Sequence, residues 1–401
     1  MCILNETHFE NIMKNILIVV RSVSFGIGVG GMEKAATQHI YEMRDKGYKI
    51  YLIAPGNKVK GNIPPFVNFI DVSWPHWDKY KVLMTMGLAY HQWCKRVAKK
   101  ITTMEKDIDI VHFHGASAGT LAFLSNKLIN NKATVVNPHG MEEFGSGSYL
   151  RLANRLFTRS LLKKSHLADF IIATDNILVR NVAVNLKVQP EKIHVVPNTI
   201  DIQQLESKVK KSDRMKSISI VSVGRIEHNK GYDLLAAALV KLKSTNKIAE
   251  NFSWDHYGNG KMRDKIIDYS IKNSIPLVVH VGASDEDVQS AIANSSIFVQ
   301  PSRYEGSSLT TLEAMTHGAL IVAMPVGGIP DKIFDKKTGF LCKAVTTSAL
   351  AMSLNEALNN TSNDEIRSNA KKYVQENFDI NVSSKKYDEL YKKIMTSKGC
   401  Q

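Results

Sequence analysis

Cysteine is scarce in this 401-residue chain: Cys2, Cys94, Cys342 and Cys400 are scattered, and none belongs to a CxxC pair. That scatter indicates neither a disulfide framework nor a zinc site, and the reducing cytoplasm is the simplest compartment. No run approaches the roughly 18 apolar residues that a membrane-spanning helix needs. The first twelve residues, MCILNETHFENI, lack the basic leader and long apolar core of a signal peptide. They read as an extension or an alternative start ahead of Met13-Lys14 and the apolar run NILIVV. Low-complexity tracts and tandem repeats are absent. Acid is also in short supply: 38 Asp and Glu stand against 52 Lys and Arg, a net charge of +14. Residues 1–200 carry most of the excess, with 25 basic and 15 acidic residues, against 27 and 23 in residues 201–401. A basic N-terminal half suits nucleic acid, an anionic membrane surface or an anionic substrate, or no partner at all. Without basic–aromatic interleaving or a recognised module, nucleic acid is disfavoured.

What is present is a globular chain, 44% hydrophobic and 22% charged. Its length suggests two domains of about 200 residues. Short apolar β-branched runs alternate with longer amphipathic segments, the pattern of βα units around a parallel sheet. A first series of strands is expected at 15–20, 49–54, 68–72, 109–113, 133–137 and 169–174. A second is expected at 217–224, 252–258, 277–282, 296–300 and 320–325. The polar, basic stretch from VVPNTID to RMKS reads as the link between them. Two doubly wound α/β domains follow, and such folds bind ligands where strands end and helices begin.

Three loops at such positions carry chemistry. FGIGVGGMEK follows the first strand, and its Gly26, Gly28, Gly30 and Gly31 permit close backbone approach at a helix N-terminus. It does not match a dinucleotide-binding GxGxxG cleanly, so a structural turn explains it equally well. GRIEHNKG follows the first strand of the second series. It places Arg225 and Lys230 where a forked guanidinium and an ammonium would suit the charges of a diphosphate, although such a pair taken alone is more often a solvated surface feature. PSRYEGSSLTTLEAM, at 301–315, sets Glu305 in a loop and Glu313 in a short helix ending at Gly318. Ser307, Ser308, Leu309 and Thr310 are expected to form the first turn of that helix, its N–H groups an anion cradle. Capping accounts for the serines. It does not account for Glu313 among Leu312, Ala314 and Met315.

PSRYEG, LEAMTHG and PVGGIPD, with GGMEKAATQHIYEM, NPHGM, VVPNTID, VGRIEHNKGYDLL and YGNGKMRDKI, together resemble the retaining glycosyltransferases of family 4 over nearly the whole chain. The resemblance implies the GT-B fold, two Rossmann-like domains facing a cleft. Residues 1–200 would form the acceptor-binding domain and 201–379 the nucleotide-sugar-binding domain, with 380–401 a terminal helix crossing back. It implies a nucleotide-sugar donor, UDP-linked most simply, with no cofactor and no metal ion. Glu313 would hold the ribose hydroxyls, and Glu305 would face the donor sugar. Arg225, Lys230 and the amides of Ser308, Leu309 and Thr310 would stabilise the departing diphosphate. Gly30 and Gly31 would close over the same phosphates. Gly258 and Gly282 fall with the donor, and His139 matches the family's sugar-contacting histidine.

The chain departs from the family where EGSSL replaces the frequent EGFGL and where Asp331 replaces a glutamate. His112 and His114 alternate at a strand edge without an acid partner, which disfavours a metal site; His114 is expected to line the acceptor cleft. Arg151, Arg155, Arg159 and Lys163 repeat at i+4 as a basic helical stripe. That stripe suits either a solvated face or docking on anionic lipid at the cytoplasmic face of the inner membrane. Lys95, Arg96, Lys99 and Lys100 form a second basic patch. A saccharide or glycolipid acceptor, as in lipopolysaccharide or capsule synthesis, fits that setting. An epimerase, a phosphorylase or an inactive sugar-nucleotide-binding subunit would share the fold.

Overall fold

The computed structural model describes residues 14–26, 31–75, 87–139, 144, 156–210 and 217–399. Two parallel sheets dominate. The first has seven strands in the order Val67–Asp71, Lys49–Ala54, Asn15–Val19, Ile110–His114, Ala133–Asn137, Phe170–Ala173 and Ile193–Val195. The second has six: Leu277–His280, Ser253–Tyr257, Ser219–Val223, Ile297–Gln300, Leu320–Ala323 and Phe340–Leu341. The two-residue strands Val23–Ser24 and Val59–Lys60 pair separately. Eleven strands fall where the apolar runs put them, to within two or three residues. Ile193–Val195 and Phe340–Leu341 were not among them, because edge strands of three and two residues leave no periodic signal.

The central strands are buried on both faces, as parallel sheets require. Ile16 and Ile18 point to a layer containing Ile40 and Met43, while Leu17 and Val19 join Trp93, Val97 and Phe113 on the other face. This is the period of two along a strand. In the second sheet, Ile297 and Val299 pack with Leu235 and Leu239, while Phe298 packs with Leu312 and Met315.

The chain passes between the domains twice, at one place. Ile200 forms a parallel bridge with Asp379: its N–H donates to the Phe378 carbonyl at 2.9 Å, and the Ile380 N–H donates to the Ile200 carbonyl at 3.0 Å. Beyond it the helix Ile380–Ser397 lies on the first domain, with Tyr387, Tyr391, Ile394 and Met395 in the core beside Ile16 and Ile110. The Tyr391 hydroxyl sits between His39 and His112, and Lys398 pairs with Asp169 at 2.7 Å. Among the described residues no helix is long and apolar enough to cross a membrane.

A buried polar knot secures the crossover. Glu42 Oε1 accepts from Ser383 Oγ at 2.6 Å and from Gln38 Nε2 at 2.8 Å, and Gln38 also donates to Thr199 at 2.6 Å. Glu42 Oε2 is buried without a partner. Burial pushes the Glu42 carboxyl up to about 7, against the pull of these hydrogen bonds. The fold therefore binds this proton more tightly than the unfolded chain, and stability falls as pH rises from about 4.5 to 7. Glu42→Gln should remove that loss, up to about 3 kcal/mol by pH 8. Denaturant melts at pH 5 and pH 8 test this: the wild-type difference should shrink in the variant.

Candidate functional site

Because every strand in both sheets is parallel, the loops that follow them gather at one edge of each domain. The two edges face each other across a cleft of about 280 Å³. Its first wall holds Gly31, Met32, Lys34, His139, Thr174 and Asn198. Its second holds Arg225, Asn229, Lys230, residues 304–310 and Glu313.

Two loops of the second domain are stitched together. The N–H of Arg303 donates to the Asn229 carbonyl at 2.8 Å, and its guanidinium grips Asp233 bidentately at 2.7 and 2.6 Å. Gly231 (φ +70°) lies so near that a Cβ there would sit 1.9 Å from the Pro301 carbonyl oxygen. Gly327 of the GGIPD turn (φ +54°) backs the other side, its would-be Cβ 2.2 Å from the Glu305 carbonyl oxygen. The loop 301–306 is thus held between two backbones, and the helix Leu309–Thr316 leaves it in a fixed direction. Ser308 is the N-cap, its Oγ accepting from the Thr311 N–H. Ser307 therefore precedes the helix rather than forming part of its first turn.

The acids occupy separate settings. Glu305 Oε1 accepts from Lys230 Nζ at 2.6 Å and from Gln300 Nε2 and Ser302 Oγ at 2.7 Å each. Its carboxylate is fixed by its own domain, and Lys230 pairs with it. Glu313 is 5% exposed. It receives Lys34 Nζ at 3.4 Å from across the cleft, and that charge is the main cause holding the lysine's pKa above its ordinary value. The Asp331 carboxylate accepts from the Asn176 N–H at 2.8 Å, a second contact between the domains.

His139 lines the cleft in a left-handed backbone conformation (φ +56°), its N–H donating to Asn137 Oδ1 at 3.1 Å. Burial lowers its pKa to about 4, so at neutral pH the ring is uncharged. His114 does not line the cleft. As an alternating residue of a strand buried on both faces it is 2% exposed, behind His139, with its Nδ1 3.0 Å from His139 Nε2. His39, His112 and His114 bring one ring nitrogen each within 4.8 Å of one another. The His112 and His114 rings are stacked, 4.4 Å apart at 18°, so their in-plane lone pairs run side by side instead of converging on one point.

Other expected residues fall elsewhere. Gly258 and Gly282 are not part of the cleft lining. Gly258 (φ +149°) allows close approach to the Gly224 carbonyl, whereas a Cβ on Gly282 (φ +74°) would meet nothing within 4 Å. Gly30, Arg151 and Arg155 lie outside the described residues. Arg159 is in the helix Leu156–Leu162, but Lys163 opens a following 3-10 segment, so the stripe does not continue on one α-helix. Lys34, Thr174, Asn198 and Asn229 were not singled out from the sequence. Lys34, Asn198 and Asn229 lay inside quoted motifs, and the charge of Lys34, three residues past Gly31, was the available signal for that residue.

Residues 29–204 match the family described as Glycosyltransferase Family 4, and residues 203–376 match Glycosyl transferases group 1. The chain belongs to glycosyltransferase family 4, and its fold is GT-B. Over 244 residues it is 27% identical to an uncharacterized 41.2 kDa protein in the cps region of Klebsiella pneumoniae, covering 58% of this chain and 64% of the relative. It is 26% identical to the phosphatidylinositol N-acetylglucosaminyltransferase GPI3 subunit of Saccharomyces cerevisiae, covering 64% of this chain and 56% of that protein. The matches thus span between about half and two thirds of these relatives. A crystal structure of Anabaena HepE in complex with UDP superposes with a TM-score of 0.67 at 16% identity, covering 94% of this chain and 99% of the other.

The steric account of the GGIPD turn is testable. Gly327→Ala should lower the thermal midpoint by several degrees, since its Cβ has no room and its φ is unfavourable. Gly282→Ala, with positive φ but open space, should cost much less. Differential scanning calorimetry on both variants checks the order.

Proposed function

We propose that this glycosyltransferase is a retaining enzyme that moves a sugar from a nucleotide diphosphate, UDP in the simplest case, to a saccharide or lipid-linked saccharide. The observation that carries the reading is the gathering, in one cleft, of a helix N-terminus at 308–310 with Arg225 and Lys230, and of a buried glutamate one helical turn further on. Free N–H groups and two cations suit a diphosphate. A buried carboxylate, which only accepts, suits the hydroxyls of a ribose, each of which has a proton to donate. The UDP held by the Anabaena protein supports a donor of this kind.

On this reading the bond between the sugar's anomeric carbon and the diphosphate oxygen breaks as the acceptor oxygen bonds to that carbon from the same face. The acceptor proton passes to the departing diphosphate. Lys230, Arg225 and the amides stabilise the charge developing on the leaving group, and the narrow cleft limits solvent screening. Neutral His139 would donate or accept a hydrogen bond at the sugar rather than supply a proton. Glu305 aligns Lys230, and Lys34 must yield Glu313 to the ribose or share it. No residue is assigned as a nucleophile, and no step needs a metal ion or cofactor.

The acceptor is assigned to the first domain. Lys95, Arg96, Lys99 and Lys100 are exposed on the helix Leu88–Thr103, with Lys163 and Lys164 exposed on the neighbouring segment. Such a surface suits anionic lipid, at about 1 kcal/mol per basic residue near the membrane. The relative in a cps region and the relative named as a phosphatidylinositol N-acetylglucosaminyltransferase subunit support a glycan or glycolipid acceptor.

Screening UDP-, GDP- and ADP-sugars for turnover should give release of one nucleoside diphosphate. Glu313→Ala and Lys230→Ala should each reduce donor use by about tenfold to a hundredfold, the worth of a charged hydrogen bond. Near-normal transfer in either would defeat its assignment. The protein should cosediment with phosphatidylglycerol vesicles at low salt and dissociate as salt rises; an absence of binding at low salt would remove the lipid-docking part alone.

A further inference from the structure

Lys332, next to the GGIPD turn, is among the largest fully buried side chains of the protein, at 1% exposure. It does not reach the cleft. Its ammonium donates to Ser307 Oγ at 2.9 Å and to the Ser308 carbonyl at 3.1 Å, and lies 5.8 Å from the centre of the Phe378 ring. Three acids face it: Asp175 from the first domain, Glu305 from the cleft loop and Asp331 on its own segment. Each is held by other donors: Asp175 by the Leu178 N–H, Glu305 by Lys230, Gln300 and Ser302, and Asp331 by the Asn176 N–H.

The two contacts of Lys332 are to the residues on which the helix N-terminus depends. An ammonium has donors only, so the Ser307 oxygen must accept from it. The proton of that hydroxyl is then left to donate elsewhere, and Ser307 lines the cleft. The Ser308 carbonyl, tied to the same ammonium, fixes the peptide leading into the first N–H groups of the helix. A positive charge thus stands directly behind the place where anionic oxygens would sit, at the position where EGSSL departs from EGFGL.

We infer that Lys332 is a positioning residue for the diphosphate, a buried second-layer cation that orients the Ser307 hydroxyl into the cleft and makes nucleotide affinity depend on its own protonation. The inference rests on the reading of the cleft as a nucleoside-diphosphate site. Burial pushes the Lys332 ammonium down to about 8, against the pull of Asp175, Glu305 and Asp331. A bound diphosphate favours the charged form, so binding takes up a proton where Lys332 is partly neutral, and affinity falls as pH rises through 8. Stability runs the other way. The unfolded lysine, at its ordinary 10.5, binds the proton more tightly, so this residue makes the fold more stable as pH rises from about 8 to 10.5. A merely structural lysine would show only the second trend.

The test is calorimetric titration of the whole protein with UDP, GDP and ADP at about pH 7 and pH 8.5, in buffers of different ionisation enthalpy. For the nucleotide that binds, wild type should take up a fraction of a proton at the higher pH and lose affinity severalfold. Lys332→Met should bind about tenfold more weakly at pH 7, without uptake and without the pH trend. Ser307→Ala should lose a similar part, and the double variant should be no worse than Lys332→Met alone. Binding without proton uptake, or a Lys332→Met profile equal to wild type, would overturn this role while leaving the cleft's reading intact. If Lys332→Met does not fold, proton uptake in wild type and its reduction in Ser307→Ala decide the matter. Failure of all three nucleotides to bind wild type would overturn the nucleotide reading itself, and this inference with it.

Discussion

The site depends on how closely three pieces of backbone approach one another. The loop 301–306 runs between Gly231 and Gly327, each so near it that a side chain would collide with a carbonyl oxygen. Arg303 locks the same loop to Asp233 and Asn229. This sandwich fixes the direction in which the helix Leu309–Thr316 points its free N–H groups, and it places Glu305 against Lys230. The helix alone, of eight residues, would be marginal in water. Its orientation comes from packing and from glycine.

A second constraint is that the cleft is built from two domains. Lys34 reaches Glu313 from the first, and Asp331 accepts from Asn176 of the first. These are polar contacts at the mouth of the site. The apolar attachment between the domains lies elsewhere: Ile200 and Ile202 join the second core, and the helix Ile380–Ser397 joins the first. The crossover knot at Glu42, Thr199 and Ser383 therefore carries the covalent link, while the cleft contacts are the ones a ligand must exchange. Lys34 and Glu313 satisfy each other when no ribose is present, which lowers the cost of leaving a carboxylate partly buried.

Much of this architecture was legible in the sequence because it is written in long, buried, periodic elements. NILIVV, KIYLIA and SIFVQ each contain a strand, and their alternation with amphipathic helices pointed to two parallel sheets. The motifs located the cleft because strand ends with Gly, Pro and charge are where such folds open. What could not be read were properties of the third dimension. His114 ends a strand at the edge where the loops gather, yet it is buried behind His139. Lys34 and Lys332 are ordinary lysines in the sequence. Only the fold sets one opposite Glu313 and buries the other behind Ser307. Likewise the departure at EGSSL was visible, but its partner at 332 was not, since nothing in one sequence couples positions 25 residues apart.

The central claim is that the N-terminus of the helix Leu309–Thr316 and the flanking cations hold a nucleoside diphosphate. A crystal structure of the protein with the nucleoside diphosphate that binds it tests this most directly. The account predicts the β-phosphate on the amides of 308–310 beside Lys230 and Arg225, with both ribose hydroxyls on Glu313 and Lys34 displaced. A nucleotide bound outside this cleft, or one whose ribose lies away from Glu313, would contradict it.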